Sequence, residues 1–291
     1  MKVAGFTFIR NAIKYDYPVV EAITSILPVC DVFIVNIGNS EDNTEQLIRS
    51  LNEDKLRIFN SIWDDSLREG GRVLAVQTDK AFDQIPVDID WCFYIQGDEV
   101  VHEKYLKPIK EAMVKYKDDL RVEGLLFKYL HFYGSYDFVG DSRKWYSHEI
   151  RIIRNDKKIR AYRDAQGFRK EGRKLRVKLI DATIYHYGWV KNPHHQLEKA
   201  KNFYKLWTTE DSPPFTIPKL DEFQFDYSGI DSLSRFRDSH PRVMIERINN
   251  INWKFDHDIS KKNYNLKGYV LNWVEKKTGK RLFDYKNYKL I

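Results

Sequence analysis

The sequence feature that most constrains the fold is a short apolar run, Trp91 to Ile95, that ends abruptly in the polar residues Gln96 to Glu99. A run of this length, rich in aromatic residues, predicts an interior strand that is covered on both faces of a sheet. Because ligands of open α/β sheets bind at the carboxyl ends of the strands, these polar residues form a candidate site. The adjacent carboxylates of Asp98 and Glu99 need a compensating charge, and a divalent metal ion is one economical source. An exposed acidic turn is the alternative.

The composition is that of a globular protein with a basic surface. A chain of 291 residues with 42% hydrophobic and 14% aromatic residues can hold one large α/β domain with an appendage, or two small domains. The formal net charge of +7 favours anionic partners such as nucleotide phosphates, acidic glycans, anionic membrane surfaces or nucleic acid. Charge alone does not choose among them.

Segments that would direct the chain to or across a membrane are not recognisable in the sequence. The start of the chain lacks the pattern of a cleaved signal sequence, and no stretch approaches the ~20 apolar residues of a membrane span. Cys30 and Cys92 each stand in an apolar context, which predicts reduced core residues rather than a disulfide framework. We therefore expect a cytoplasmic protein, with peripheral contact at the inner face of a membrane left open.

The first half of the chain alternates between strand and helix patterns. We predict strands over 2–9, 31–37 and 56–60 and at the Trp91 run, with helices over 18–27, 45–51 and 70–82. Strands separated by helices indicate βαβ units. The predicted fold class is therefore α/β, with a mainly parallel central sheet and flanking helices.

The second half has a less regular pattern. We predict a helix over 104–117, strands over 149–154 and 176–185, a helix over 193–207, and weak helices over 239–252 and 266–277. A basic segment over 160–176 is either a solvated face or an anion-binding surface. The proline-rich stretch Ser212-Pro213-Pro214 marks a boundary. We expect a domain over 1–208, with a nucleotide-binding half over 1–103 and an acceptor-side half over 104–208, and then a linker and helical appendage over 209–291.

Four short motifs follow the predicted strands of the first half: Phe8-Ile9-Arg10-Asn11, Asn39 to Thr44, Gly70-Gly71-Arg72 and Gln96 to Glu99. In order and spacing they resemble the nucleotide-binding half of family 2 glycosyltransferases, which have the GT-A fold. A later string, Tyr185-His186-Tyr187-Gly188, is similar to the segment that carries the C-terminal metal-ligand histidine of such enzymes. The last hundred or so residues are outside the resemblance.

The resemblance implies a set of nucleotide-binding residues: Arg10, Asn39, Asp42, Arg72, Gln96 and Asp98. Asn39 stands where glycine or aspartate is usual, which leaves the identity of the base open. Asp42 would also fit the cap of the following helix. Gln96 replaces the first acid of the family's Asp-x-Asp metal motif, so it could bond ribose while the metal is held more weakly.

The resemblance also implies a metal site and a catalytic base. Asp98 and His186 would bind Mn²⁺ or Mg²⁺, which would neutralise the departing diphosphate. A satisfied core histidine is the alternative for His186. An inverting transfer needs a base for the acceptor hydroxyl, and Glu149 and Asp164 are the candidates.

Together these features predict an inverting glycosyltransferase that moves a sugar from a nucleotide diphosphate donor to a hydroxyl of a glycan or glycolipid, in cell-surface glycan assembly. No nucleic acid partner is expected. A nucleotidyltransferase that makes sugar nucleotides is one alternative, although Arg10-Asn11 stand where a glycine-rich, basic loop would be needed. A non-catalytic protein that binds polyanions through residues 160–176 is another. A degenerate glycosyltransferase, with Gln96 marking lost activity, is the third.

Overall fold

A computed structural model describes residues 1–67, 69–208 and 216–291. The predicted boundary at Ser212-Pro213-Pro214 lies outside these residues. The helices are α1 (Val19–Ile26), α2 (Thr44–Arg49), α3 (Arg72–Asp83), α4 (Leu106–Tyr116), α5 (Pro193–Trp207), α6 (Ile245–Asn249) and α7 (Leu266–Thr278). The strands are β1 (Val3–Ile9), β2 (Val32–Gly38), β3 (Leu56–Ser61), β4 (Trp91–Tyr94), β5 (Glu99–Val101), β6 (Gly124–Tyr133), β7 (Ser135–Gly140), β8 (His148–Arg154), β9 (Ile159–Tyr162), β10 (Gly167–Lys170), β11 (Arg173–Lys174), β12 (Arg176–Trp189), β13 (Leu233–Arg235) and β14 (Lys289–Leu290).

The central sheet has a parallel half and a mixed half. Strands β3, β2, β1 and β4 are neighbours in that order and run parallel. β8 pairs antiparallel with β4, and β6 pairs antiparallel with β8 and parallel with the long strand β12. The prediction of an α/β fold with a largely parallel central sheet and flanking helices is confirmed. The antiparallel strands come from the second half, where the sequence pattern was less regular.

Strand β4 is covered on both faces, as its apolar run predicts. Trp91 and Phe93 pack into one core cluster, with residues of α1, α2 and α4, whereas Cys92 and Tyr94 pack into a second cluster with residues of α3. All four side chains are fully buried. The alternation follows from the two-residue period of a strand, which sends successive side chains to opposite faces. Both cysteines are free and buried, in agreement with the sequence.

The basic segment 160–176 folds into a small sheet of β9, β10 and β11. Its charges are largely paired within the protein, because Arg173 and Arg176 contact Glu123 and Arg169 donates from a buried position to the carbonyl of Asn287. Arg160 and Lys170 have partners in Asp83 and Asp156. A solvated face with internal ion pairs therefore describes this segment better than an open polyanion-binding surface.

Residues from 216 onward complete two edges of the main sheet. β13 pairs antiparallel with β7, and β14 pairs parallel with the start of β12. The helices α6 and α7 also belong to this part of the chain. Across the described ranges, no helix has both the length and the apolar character that crossing a bilayer would need.

Candidate active site

A cavity of about 740 Å³ opens at the carboxyl ends of β1 and β4. Its walls come from these strand ends, from β12, from residues 144–146 and from α5. The residues predicted from sequence that line it are Arg10, Gln96, Asp98, Asp164 and His186. Arg10, Gln96 and Asp98 meet because the parallel strands β1 and β4 end at one edge of the sheet, where an open α/β fold binds its ligands. Asp164 reaches them from between β9 and β10, and His186 from β12.

The other predicted site residues do not line this cavity. Asn39 is exposed, and its side-chain oxygen accepts a hydrogen bond from the backbone of Trp63 at 3.2 Å. Asp42 accepts from the backbone of Thr44 at 3.1 Å, at the start of α2, which is the capping role considered above. Arg72 is exposed at the first position of α3. None of these three side chains is therefore part of the cavity wall.

Glu149 lies in a neighbouring cavity of about 440 Å³, which shares the wall of residues 144–146. Its side chain is buried, and its Oε2 atom has no hydrogen-bond partner among the described residues. Burial raises the pKa of Glu149 to about 8, against the opposing charge of Arg151. This carboxyl group is therefore largely protonated near neutral pH.

At the centre of the larger cavity, Asp98 is paired with a lysine from α5. The Lys199 ammonium donates to Asp98 Oδ2 at 2.9 Å and to the carbonyl of Gly188 at 2.8 Å. His186 Nε2 lies 3.7 Å from the same Asp98 oxygen. Burial alone would raise the pKa of Asp98, but the charges of Lys199, His186 and Lys191 together outweigh it and hold the pKa well below its usual range.

The second carboxylate of the strand end has its own basic partner. Glu99 and Arg151 are both fully buried and form a bidentate ion pair, with nitrogen to oxygen distances of 2.7 and 2.8 Å. Glu99 also accepts a hydrogen bond from Tyr129 and one from the backbone of Gln96, the latter at 3.2 Å. The pair thus holds the turn that presents Asp98, and basic side chains compensate both adjacent acids.

The predicted metal ligands do not fit a divalent ion as they are arranged. His186 Nδ1 contacts His131 Nδ1 at 3.2 Å, so only Nε2 is directed toward Asp98. The Asp98 oxygen that faces it is already bound by Lys199, and an ion there would have to displace this ammonium. Across the described residues, no group of three or more His, Cys, Asp or Glu side chains could hold a metal. In this arrangement Asp98 and His186 therefore share no free position for Mn²⁺ or Mg²⁺, because the Lys199 ammonium occupies it.

Asp164 reaches the cavity from a strained turn between β9 and β10. The residues on either side of it, Arg163 and Ala165, have positive φ angles of 56° and 62°. Such backbone is costly for residues other than glycine and persists where the surrounding structure imposes it, often at functional sites. Gly71 allows the approach, because a Cβ atom there would stand 2.9 Å from Asp164 Cβ. Burial raises the pKa of Asp164.

Aromatic side chains form much of the remaining wall. Trp63, Trp145 and Trp207 line the cavity, and the Arg10 guanidinium lies 5.4 Å from the ring centre of Trp63. Arg10 is also paired with Asp65 at 3.0 Å. Flat apolar faces beside polar groups suit the stacking of a nucleobase or a sugar ring. The cavity can therefore accept a ligand that has both a ring and an anionic group.

Sequence reasoning did not identify Lys199 or Arg151. The signal for Arg151 was weak but present, since a charged residue between Ile150 and Ile152 in a predicted strand needs a buried partner. Lys199 had no such signal, because it is one of 49 lysines and arginines and lies on an ordinary polar helix. Only its contact with Asp98 separates it from the others.

No protein-family model matches the sequence, and no curated protein matches it. Several solved structures resemble part of the fold. A structure of S. aureus TarS in complex with UDP is 14% identical, with a TM-score of 0.39, and the match covers 71% of this chain and 65% of that one. A TarS structure in complex with UDP-GlcNAc is 18% identical, with a TM-score of 0.34, over 46% of this chain and 36% of that one.

A third similar structure is glucosyl-3-phosphoglycerate synthase from Mycobacterium tuberculosis, in complex with Mn²⁺, UDP and phosphoglyceric acid. It is 17% identical, with a TM-score of 0.30, over 45% of this chain and 43% of that one. The chain thus spans about a third to two thirds of the length of these proteins. At this level the similarity transfers no ligand, metal or activity to this chain.

Proposed function

We propose that this protein is a glycosyltransferase that moves a sugar from a nucleoside diphosphate donor to a hydroxyl acceptor. The observation that carries the proposal is the meeting of Arg10, Asp98 and Asp164 in one cavity at the carboxyl end of a parallel sheet. This reaction requires cationic groups that bind a diphosphate, aromatic walls that stack on rings and a carboxylate that accepts a proton. The motif order of the first half supports the same class.

In this proposal the transfer occurs with inversion in a single displacement. The acceptor oxygen attacks the anomeric carbon, the bond from that carbon to the diphosphate oxygen breaks, and the diphosphate leaves with the bonding electrons. Asp164 takes the proton of the acceptor hydroxyl. Asp164 is preferred to Glu149 because it lines the same cavity as Asp98, whereas Glu149 lies behind the wall of residues 144–146. The raised pKa of Asp164 also brings it nearer to the working range of a general base.

The acceptor is proposed to be a glycan or glycolipid, reached from a membrane surface. Helix α7 exposes Leu266, Val270 and Trp273 on one side, with exposed fractions of 87%, 61% and 63%. Lysines follow at its carboxyl end, at positions 276, 277 and 280. Apolar and basic side chains together favour an anionic bilayer surface. Co-sedimentation with phosphatidylglycerol vesicles but not with phosphatidylcholine vesicles would support this part of the proposal, and no binding to either would refute it.

The first experiment is thermal stabilisation by UDP, GDP, CDP and dTDP and their common sugar conjugates. A ligand that binds the native state alone raises the melting temperature by mass action. We expect one nucleotide to shift the melting temperature, and its sugar conjugate to be consumed with release of the nucleoside diphosphate. The product should have the opposite anomeric configuration to the donor, which NMR can determine. Absence of a shift with every nucleotide would contradict the proposed function.

A further inference from the structure

Lys199 stands where a glycosyltransferase of the resembling kind would hold its metal, between the aspartate of the strand end and the cavity. Its ammonium is bound by Asp98 Oδ2 and by the carbonyl of Gly188, and it lies 4.9 Å from the ring centre of Tyr17. The side chain keeps 14% of its accessible surface, and it lines the cavity. An ammonium has three donors, and the described residues supply two acceptors. One donor therefore remains for a ligand in the cavity.

The backbone at Gly188 permits the contact between Lys199 and Asp98. A Cβ atom at Gly188 would stand 2.5 Å from His186 Nε2 and 2.7 Å from Asp98 Oδ2. Glycine at this position thus lets β12 approach the strand end closely enough for its carbonyl to bind Lys199. Helix α5 begins after a side-chain cap by Asn192 and a proline at its first position, which set its direction immediately after β12. The lysine therefore reaches the carboxylate from an element with a well-defined start.

When the bond between the sugar and the diphosphate breaks, negative charge develops on the departing diphosphate, and a nearby positive charge stabilises it. A divalent ion usually supplies it, but here the Lys199 ammonium occupies the Asp98 oxygen that faces His186. Charge-assisted hydrogen bonds from an ammonium to phosphate oxygens provide the same kind of stabilisation without a metal. Asp98 then serves to hold the lysine in place, and its own charge is balanced by that lysine.

We propose that the Lys199 ammonium replaces the divalent metal in this protein and binds the diphosphate of the donor, so that donor binding needs no metal ion. This inference rests on the proposed function, because it names the group that receives the donor in the same cavity. It differs from the expectation drawn from the family resemblance, in which Asp98 and His186 bind Mn²⁺ or Mg²⁺. In this protein Asp98 is a positioning residue for Lys199.

The test measures binding of inorganic pyrophosphate and of UDP, GDP, CDP and dTDP by calorimetry, in EDTA and in Mn²⁺. We expect wild-type affinity for the preferred diphosphate to be the same in both conditions. Lys199→Met should lower that affinity roughly 10- to 100-fold, as loss of a hydrogen bond to a charged group does. Its affinity for the corresponding nucleoside, which lacks the diphosphate, should not change. A merely structural role for Lys199 would reduce both.

Two variants serve as controls. Lys199→Arg keeps the charge and should retain most of the affinity for the diphosphate. Lys201→Met removes an exposed lysine of the same helix and should change nothing, since Lys201 pairs with Glu198 and does not line the cavity. The wild-type comparison between EDTA and Mn²⁺ needs no variant, so the proposal stays testable if Lys199→Met does not fold.

Three results would overturn the inference. Wild-type affinity that is lost in EDTA and restored by Mn²⁺ would show that a metal binds the diphosphate. Equal affinity of wild type and Lys199→Met for the diphosphate would show that the lysine does not bind it, while leaving the proposed function intact. Wild-type protein that binds neither pyrophosphate nor any nucleotide would overturn the proposed function and this inference together.

Discussion

Replacing Glu149 by glutamine should change how the stability of this protein depends on pH. The Glu149 side chain is 2% exposed, one of its oxygens has no partner among the described residues, and burial raises its pKa to about 8 from an ordinary value of 4.5. At pH values between 4.5 and about 8, the Glu149 carboxyl is ionised in the unfolded chain but still protonated in the folded protein. The free energy of unfolding therefore falls as pH rises through this interval.

The size of the effect follows from the interval. Each unit of pKa difference corresponds to ~1.4 kcal/mol, so the full difference between 4.5 and about 8 corresponds to ~5 kcal/mol. The contribution of the protonated Glu149 carboxyl to the free energy of unfolding is fully present below pH 4.5 and is lost as pH rises through about 8. Glutamine resembles the protonated acid in shape and does not ionise. The variant should thus match wild type near the acidic end and be more stable by several kcal/mol at the alkaline end.

Urea denaturation at a series of pH values from about 5 to about 9 would measure this difference. Glu53→Gln is the matched control, because Glu53 is an exposed carboxylate and its replacement makes the same chemical change outside the core. A difference between Glu149→Gln and wild type that stays flat across the series would refute the reasoning. It would show that Glu149 ionises at its ordinary pKa in the folded protein despite its burial.

Three further predictions concern the site itself. Gly188→Ala should abolish nucleotide binding, because the added Cβ would stand 2.5 Å from His186 Nε2. In the same titration Gly229→Ala should bind normally, because a Cβ at Gly229 has no neighbour within 4 Å. Arg151→Met should lower the free energy of unfolding by about 3–5 kcal/mol in urea, since it leaves Glu99 buried without a counter-charge; a change under about 1 kcal/mol would contradict this. Asp164→Asn should lower turnover about 10²- to 10⁴-fold with nucleotide affinity unchanged, and normal turnover would exclude it as the base.

The elements of the first half could be predicted from the sequence because their signals are local. The predicted strand over 2–9 is β1 at Val3–Ile9, and the predicted helix over 70–82 is α3, which begins two residues later, at Arg72–Asp83. Apolar periodicity depends only on neighbouring residues, and so do the residues that begin and end a helix. The aromatic run at Trp91 predicted a strand buried on both faces, and the two core clusters confirm it.

The second half was less predictable because its strands pair at long range. The sequence indicated strands over 149–154 and 176–185, which correspond to β8 and β12, but not their partners. β8 lies between β4 and β6, and β12 pairs with β5, β6 and β14. The register and direction of these strand pairs depend on contacts between distant segments of the chain. A periodic pattern within one segment does not indicate those contacts.

The sequence by itself determined an α/β fold and a polar candidate site at the end of β4, because a buried strand and its polar terminus consist of consecutive residues. It also indicated that the two adjacent acids need compensation. Tertiary structure alone decided what compensates them, since Lys199 lies 101 residues from Asp98 and Arg151 lies 52 residues from Glu99. Opposite charges so far apart in the chain meet only when the fold brings the sheet and helix α5 together, and no local pattern distinguishes Lys199 from the other basic residues of its helix.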